Sequence, residues 1–220
     1  MASDLGFLVI QQVDQLDRGG SRQIFYPKFI LWAVSFPTYV LSLGLLSGVS
    51  WTTIVYHVFL SWIWILGYLT SSFTVSNYKW GFYAFSTIAW IFLATGTLTE
   101  GLRHAKRVGV SRDYLILAGW VNLLWLQYPL AFGLTDAGNR IGVVGGFIWF
   151  GILDVLMIPV STIAILAFSR RWDYGRLNIA FTQYGRVKTT PGTFPEKEAA
   201  TGPAGGVTTD APVHTGEAAV

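Results

Sequence analysis

One acidic residue stands out because it lies inside a long apolar stretch. Asp154 is the only Lys, Arg, Asp or Glu between Ile141 and Ser169. An ionised carboxylate at the centre of a bilayer costs about 2.5–3.5 kcal/mol on insertion scales, so such a group is expected to be paired or protonated. Two uses follow from this position: a remnant ion or proton site, or a polar contact that joins neighbouring helices. The sequence leaves both open.

Two other polar residues occur at the edges of apolar stretches. Lys28 lies where the first stretch begins, so its ammonium group can extend along its own stem to the membrane surface, which favours an interfacial anchor. His57 lies one to two turns inside the second stretch. No second titratable group lies near His57 in the sequence, which favours a histidine bonded to a neighbouring helix over a proton relay.

Enzyme chemistry has no recognisable basis in these residues. The chain has no cysteine, which excludes disulfides, Cys-ligated zinc and cysteine nucleophiles. Metal-ligand clusters, phosphate-binding loops and nucleophile–base pairs are also missing from the sequence. Its basic residues occur in short clusters between apolar segments, which indicates membrane topology and not a nucleic-acid surface. The sequence therefore predicts a protein that is not an enzyme, holds no metal and binds no nucleic acid.

The elements that would position these residues are membrane helices. The sequence is 52% hydrophobic and 12% charged, against about 25% charged residues in soluble domains. A bilayer core needs about 20 apolar residues per helix, and lipid forces each segment to satisfy its own backbone hydrogen bonds. We predict an all-α, polytopic membrane helix bundle in the lipid bilayer. Its five transmembrane helices are Pro27–Ser47, Trp51–Phe73, Trp80–Leu98, Tyr114–Leu134 and Ile141–Phe168.

Charge and composition predict the organisation around this bundle. Residues 1–22 are expected to form an extracellular or loop segment, 23–173 the bundle, and 174–220 a tail too poor in large apolar residues to fold. Lys and Arg are concentrated at one end of the helices, and the positive-inside rule places that end and the C-terminus in the cytoplasm. The cluster comprises Arg103, Lys106, Arg107, Arg112, Arg170, Arg171 and Arg176, against Lys79 and Arg140 at the other end.

Three segments together resemble the microbial rhodopsin family, and especially its fungal opsin-related and heat-shock-induced branch. The segment WLQYPLAFG is similar to the family's sixth helix, with its W-x-x-Y-P pattern at Trp125, Tyr128 and Pro129. The segment GILDVLMIPVSTIAILAFSRR resembles the seventh helix, and IFYPKFILWAVSFP the third. The YKWG segment that begins at Tyr78 looks like the start of the fungal fifth helix. The resemblance implies the seven-helix opsin fold, with this chain matching helices three to seven.

The departures from the family pattern bear on photochemistry. The family's retinal lysine, four residues after the helix-seven aspartate, corresponds to Ile158, and the carboxylate that accepts the Schiff-base proton corresponds to Leu31. Lys28 stands where the family has an arginine, and Ser42 where pumps have an inner proton donor. A retinal pigment needs an amine for the imine and a carboxylate to hold it protonated. The resemblance therefore implies no covalently bound retinal and no other cofactor.

The resemblance also implies a vestigial pocket around Asp154. Tyr128 would donate a hydrogen bond to Asp154, and Lys28 would lie on the outer side of this acid. Aromatic residues that wall the retinal pocket in the family would pack as core or bind an apolar ligand. The pocket residues are Trp32, Trp125, Tyr128, Pro129, Phe132, Asp154 and Ile158.

Two family helices have no counterpart in this sequence. The opening segment MASDLGF resembles the end of the family's second helix, which suggests that Met1 is an internal methionine of a longer gene. A true loss of two helices is the alternative. Genomic sequence upstream of Met1 would separate the two.

The expected function is that of a non-photoactive, opsin-like integral membrane protein. The resemblance implies a plasma-membrane location and a stress-related, structural or regulatory role through lipids, membrane-protein partners or homo-oligomers. The alternatives are a retinal-type photoreceptor or light-driven ion transporter, disfavoured by Ile158 and Leu31, and a receptor-like sensor of an apolar ligand.

Overall fold

A computed structural model describes residues 10–13, 21–172 and 177 of the chain. Within these residues, five helical spans are long and apolar enough to cross a membrane. Pro27–Ser47 and Trp51–Phe73 each form one uninterrupted α-helix, α1 and α2. The other three spans are Lys79–Val108, Ser111–Ala137 and Val143–Ser169. This confirms the predicted all-helical membrane bundle.

Each of the last three spans contains one π-helical segment. The third span runs through α3 (Lys79–Thr95), π1 (Gly96–Gly101) and α4 (Leu102–Val108). The fourth runs through α5 (Ser111–Phe132) and π2 (Gly133–Ala137). The fifth runs through α6 (Val143–Val155), π3 (Leu156–Val160) and α7 (Ser161–Ser169). Single π turns inside α-helices occur frequently at functional sites.

Local sequence explains where the first helices begin and end. Pro27 occupies the first turn of α1, where a missing N–H costs no hydrogen bond. Gly48 ends α1 in the left-handed conformation, with φ of 79°. Ser50 then caps α2, since its side chain accepts a hydrogen bond from the Thr53 amide at 3.2 Å. The short α1–α2 connection follows from these adjacent stop and start signals.

The third helix extends further than the sequence predicted. We expected a helix over Trp80–Leu98 and a basic loop after it, but the span continues to Val108 and carries Arg103 and Arg107 on the helix. It ends at Gly109, with φ of 86°. Loss of apolar residues marks where lipid ends, whereas the helix needs a residue such as Gly109 to stop it. The fourth and fifth spans differ from prediction by one to three residues at each end.

The N-terminal part differs from the predicted loop segment. Strands β1 (Ile10–Val13) and β2 (Ser21–Ile24) pair in antiparallel fashion, with Ile10 opposite Ile24. Residues 1–9 and 14–20 lie outside the described residues. The predicted disordered tail, 174–220, also lies outside them except for residue 177, and so does Arg176 of the predicted basic cluster.

Packing is tight on one side of the bundle and open on another. In the most apolar part of each span, 56% of the residues are buried in the fourth span and 50% in the first, but only 22% in the third and in the fifth. The fifth span exposes large apolar side chains such as Phe147, Ile152 and Ile163. Within the described residues, α1 and α5 therefore form the centre of the bundle and the fifth span lies at its edge.

Candidate functional site

Asp154 lies on α6 and accepts two hydrogen bonds from other helices. Its Oδ1 is 2.9 Å from the Tyr128 hydroxyl on α5 and 2.9 Å from the Trp32 indole Nε1 on α1. A carboxylate with two donors is far less costly in an apolar environment than an isolated one. Asp154 therefore joins three spans at one point. The Trp32 donor was not anticipated from the sequence, where Trp32 was considered only as a pocket wall.

Aromatic packing holds both donors in place. Tyr128 and Trp32 are 1% and 2% exposed, and their rings meet edge to face with centroids 5.2 Å apart. Phe36, one turn after Trp32, contacts both: it stacks on Trp32 at 6.1 Å and meets Tyr128 at 5.0 Å. Such ring pairs add about 0.5–1.5 kcal/mol beyond their buried area. The donors around Asp154 are thus positioned by packing as well as by hydrogen bonding.

Lys28 pairs with a different acid from the one expected. Its Nζ lies 2.5 Å from Asp136 Oδ2, in an ion pair whose side chains are 16% and 12% exposed. Asp136 belongs to π2, at the end of the fourth span. Lys28 makes its ion pair with Asp136, and it lines the same cleft as Asp154. Lys28 is also not a free interfacial anchor, since its ammonium is drawn inward by this carboxylate.

Aromatic rings surround the Lys28 ammonium on its apolar side. Its Nζ lies 4.5 Å from the Phe150 ring centroid, 5.2 Å from that of Phe29 and 5.7 Å from that of Trp32. Cation–π attraction of this kind contributes about 0.5–2 kcal/mol, more where water is excluded. The rings therefore stabilise the ammonium group on the sides that do not face Asp136.

A half-open cleft contains this ion pair and Asp154 together. It has a volume of about 150 Å³ and lies between the start of α1, π2 and the first half of α6. Lys28, Asp136, Asp154, Thr135 and Asn139 supply its polar lining, and Phe147 and Phe150 contribute to its apolar wall. Two carboxylates and one ammonium meet there, so proton or cation chemistry is the kind this cleft can support.

Asp136 could have been noticed in the sequence. It lies between the predicted helices Tyr114–Leu134 and Ile141–Phe168, and this connection is at the same end of the bundle as the first turn of α1, because successive spans run antiparallel. Lys28 was the single charged residue predicted at that end of helix one. The signal was an isolated acid and an isolated base at the same membrane depth.

The remaining predicted pocket walls are buried against each other. Trp125 and Phe132 are 0% exposed, and Trp125 meets Phe36 at 5.9 Å and Trp64 at 6.0 Å. Phe132 stacks on Tyr68 with centroids 4.3 Å apart. The Pro129 carbonyl accepts a hydrogen bond from the Tyr83 hydroxyl at 3.1 Å. Phe36, Trp64 and Tyr68 thus complete an aromatic core that the sequence analysis had only partly identified.

Comparison with known proteins assigns the chain to a family. A family model described as "bacteriorhodopsin-like protein" matches residues 1–158. The chain belongs to this bacteriorhodopsin-like family. Its sequence is 31% identical to the opsin-like protein carO of Fusarium fujikuroi, over 81% of this chain and 60% of that protein. It is 29% identical to the 30 kDa heat shock protein of Saccharomyces cerevisiae, over 81% of this chain and 59% of that protein.

Solved structures agree with the family assignment. A light-driven proton pump from Leptosphaeria maculans superposes with a TM-score of 0.70 at 28% identity, covering 78% of this chain and 76% of that one. The light-driven proton pump of Coccomyxa subellipsoidea superposes with a TM-score of 0.68 at 26% identity, covering 71% of each chain. The chain spans about 60% of the length of the curated relatives named above. The predicted resemblance to fungal opsin-like proteins is confirmed.

The position predicted to match the family's retinal lysine carries an apolar side chain, and its backbone carbonyl is hydrogen-bonded. Ile158 lies in π3, and its carbonyl accepts a hydrogen bond from the Tyr39 hydroxyl at 2.9 Å. The same hydroxyl lies 2.9 Å from Thr162 Oγ1. Ser161 donates to the Leu156 carbonyl at 3.1 Å. Side chains thus bond two carbonyls of a π segment that contains Pro159, which has no N–H to donate.

Leu31, the position predicted to match the family's counterion, is 44% exposed on the surface of α1. Ser42, the position predicted to match an inner proton donor, donates to the Thr38 carbonyl of its own helix at 2.8 Å. Neither side chain carries an ionisable group.

A second polar cluster in this opsin-like bundle lies between α2, π1 and α5. The Thr53 hydroxyl donates to Glu100 Oε1 at 3.2 Å, and Asn122 Nδ2 donates to the Thr97 hydroxyl at 3.1 Å. His57, 5% exposed, lies one turn after Thr53 and packs against Gly96. Glu100 lies one turn after Gly96, so a carboxylate approaches His57 in space although none is near it in sequence.

The described residues contain no group of three or more His, Cys, Asp or Glu side chains that could hold a metal ion.

Proposed function

We propose that this chain is a non-photoactive, opsin-like membrane protein with a stress-related, structural or regulatory role. The observation that carries the proposal is Ile158 in π3, at the position of the family's retinal lysine. An imine with retinal requires a primary amine at that point, and the fifth span contains no lysine from Val143 to Ser169. The non-enzymatic, cofactor-free character of the chain belongs to the same proposal.

The three lysines on the described spans are poor substitutes for the missing amine. Lys106 lies in the last turn of α4, at the end of the third span. Lys28 is held in an ion pair with Asp136, and an ammonium group must lose its proton before it can attack an aldehyde. Lys79 lies at the first residue of α3, at the end of its span. Leu31 further removes the carboxylate that would keep an imine protonated.

Support for a stress-related role comes from a relative. The chain is 29% identical to a protein named as a 30 kDa heat shock protein, although it spans 59% of that protein's length. The plasma-membrane location is proposed from the resemblance to the fungal opsin-like branch alone. Partners in this role would be membrane proteins, further copies of the chain or lipids.

Orientation is proposed from the charges at the helix ends. Arg103, Lys106, Arg107, Arg112, Arg170 and Arg171 lie at the end where the third span meets the fourth and the fifth ends. The opposite end carries Lys28, which is paired with Asp136, together with Lys79 and Arg140. The positive-inside rule supports a cytoplasmic location for the arginine-rich end and for the C-terminus.

Reconstitution with retinal tests the central point. The purified chain is incubated with all-trans retinal beside the Leptosphaeria maculans pump as a positive control, and both are washed. We expect a red-shifted visible band only in the pump. A band in this protein that survives washing and is bleached by hydroxylamine would overturn the proposal, since that reaction reports an imine.

Light dependence gives a test in cells. In a host that lacks the endogenous protein, growth during heat stress is compared in light and darkness, with and without retinal synthesis. A non-photoactive protein should support growth equally in all four conditions. Support that requires both light and retinal would favour the light-driven transporter instead.

A sensor of an apolar ligand is the second candidate, favoured by one observation. The indole N–H groups of Trp64 and Trp125 are buried and have no hydrogen-bond acceptor within the described residues. A ligand carbonyl could satisfy them, although the ring contacts with Phe36 fill the same region. Solvent extraction of the purified protein, followed by mass spectrometry, would show a stoichiometric small molecule if this candidate is correct.

A further inference from the structure

We propose that the arginine-rich end of the bundle contains a binding site for the phosphate of an anionic phospholipid headgroup. The site is a cleft of about 230 Å³ between the start of α5 and the end of α7. Arg112 and Arg171 lie on its two sides, and Ser111 adds a hydroxyl group. Two guanidinium groups and a hydroxyl are donors suited to phosphate oxygens, which guanidinium groups bind in bidentate fashion.

A hydrogen bond across the cleft fixes its width. The Trp172 indole Nε1 donates to Asp113 Oδ2 at 2.9 Å, joining the end of the fifth span to the first turn of the fourth. Asp113 also lies in the first turn of α5, where a negative charge complements the helix dipole. The carboxylate in the cleft therefore has its own partners, and the lining residues keep a net positive charge.

The two arginines are available for a ligand. Both are exposed, and within the described residues neither guanidinium lies in an ion pair with a carboxylate. Gly109, which also lines the cleft, follows the last turn of α4, where Lys106 and Arg107 add further positive charge. Charge complementarity at this end of the bundle therefore favours an anion.

The position of the cleft selects a lipid over a soluble anion. It lies where the third span ends, the fourth begins and the fifth ends, and lipid headgroups surround the ends of membrane-spanning helices. Trp172 lies at its edge, and tryptophan is enriched at membrane–water interfaces. Basic side chains next to membrane helices attract anionic lipids, by roughly a factor of five in affinity for each residue. The assignment of the lipid to the inner leaflet rests on the proposed orientation, whereas the site itself does not.

Stabilisation by short-chain lipids tests the site on the full chain in a neutral detergent. Dioctanoyl phosphatidylserine, dioctanoyl phosphatidylcholine and sodium phosphate are titrated separately while the unfolding temperature is recorded. We expect phosphatidylserine to act at a concentration at least about fivefold lower than phosphatidylcholine, as one arginine contact would provide. Equal effects of the two lipids would overturn the proposal, and stabilisation by phosphate alone at the same concentration would assign the cleft to a free anion instead.

Charge-matched variants separate this cleft from general attraction to anionic lipid. Arg112→Gln with Arg171→Gln should abolish the preference for phosphatidylserine. Arg103→Gln with Arg140→Gln removes the same charge from two exposed residues that do not line the cleft, and should change the preference less than about twofold, since salt screens exposed charges outside the cleft. Equal losses in the two double variants would contradict a defined site. Unfolding without lipid shows whether each variant folds. If the double variant fails to fold, the single variants Arg112→Gln and Arg171→Gln test the same site. Each should weaken the preference for phosphatidylserine about fivefold. This detergent measurement is independent of photochemistry and orientation, so its failure leaves the proposed function standing.

Discussion

Lys28 at the start of α1 and Asp136 in π2 form an ion pair across 108 residues of sequence. The contact holds the first span against the end of the fourth, beside the hydrogen bonds of Asp154. Because both side chains are mostly buried, removal of one partner leaves an uncompensated charge in an apolar environment, which is far more costly than the loss of an exposed pair.

The ion pair gives the first prediction. Lys28→Met should lower the free energy of unfolding by about 3–5 kcal/mol, since it leaves Asp136 buried and unpaired. Lys28→Met with Asp136→Asn should recover most of this loss, and the exposed Arg140→Gln at the same end should have little effect. Unfolding by SDS titration in mixed micelles measures all three. If the single and double variants are equally unstable, the two groups are not coupled.

The hydrogen bonds to Asp154 give the second prediction. Tyr128→Phe and Trp32→Phe should each cost about 1–3 kcal/mol, because each removes one donor from a carboxylate in the membrane interior. Asp154→Asn keeps an acceptor oxygen and should be milder. Tyr78→Phe, at a tyrosine that is 80% exposed, is the control.

A double-mutant cycle makes this assignment specific. The effects of Tyr128→Phe and Asp154→Leu should be less than additive, because the hydrogen bond between them can be lost only once. Trp32 keeps an unpaired N–H in the double variant, so some destabilisation should remain. Full additivity would show that Tyr128 and Asp154 act independently.

Some parts of this site can be predicted from the sequence, and others cannot. Hydropathy predicts the five spans because lipid permits few alternatives for a long apolar segment. The Tyr128–Asp154 contact follows from the family resemblance and is present at 2.9 Å. The Lys28–Asp136 pair does not follow, because neither periodicity nor composition specifies which side chains meet across 108 residues. The Trp32 donor was missed because aromatic residues in membrane helices were interpreted as core packing or as walls of an apolar pocket, and not as hydrogen-bond donors.

Ile158, predicted to match the family's retinal lysine, gives the third prediction. Ile158→Lys should destabilise the bundle by about 2.5–3.5 kcal/mol, the insertion cost of a charged side chain at mid-membrane depth. Retinal should restore little stability or colour, since Leu31 provides no carboxylate. Ile158→Met, which matches lysine in length without its charge, is the control. Strong hydroxylamine-sensitive colour in Ile158→Lys would show that the pocket is intact.

A close approach at π1 gives the fourth prediction. A Cβ atom added at Gly96 would lie 2.3 Å from His57 Nε2, so Gly96→Ala must displace the imidazole. We expect a loss of about 1–3 kcal/mol in stability, typical of overpacking. Adding His57→Ala should relieve the clash. A Cβ atom added at Gly119 would meet nothing within 4 Å beyond its chain neighbours and the backbone of its own helix, so Gly119→Ala should be neutral or slightly stabilising.

Membrane orientation gives the fifth prediction, and the chain is suited to testing it because it has no cysteine. Single cysteines replace Arg140 and Arg107, which are exposed at opposite ends of the bundle. A membrane-impermeant maleimide applied to intact cells should label Arg140→Cys but not Arg107→Cys. The opposite pattern would place the arginine-rich end outside.

The π segments have a consequence for how this protein tolerates changes in length. A π turn holds about one residue more than an α turn, and each residue advances an α-helix by about 100°. Loss of one residue within Leu156–Val160 would therefore let this turn rewind as plain α-helix and leave the azimuth of α7 relative to α6 nearly unchanged. Tyr39 bonds both the Ile158 carbonyl, inside the turn, and Thr162, beyond it, so these bonds link the π turn to α7. A single deletion at this turn is thus absorbed locally, whereas the same deletion inside α6 would rotate every later residue of the span by about 100°.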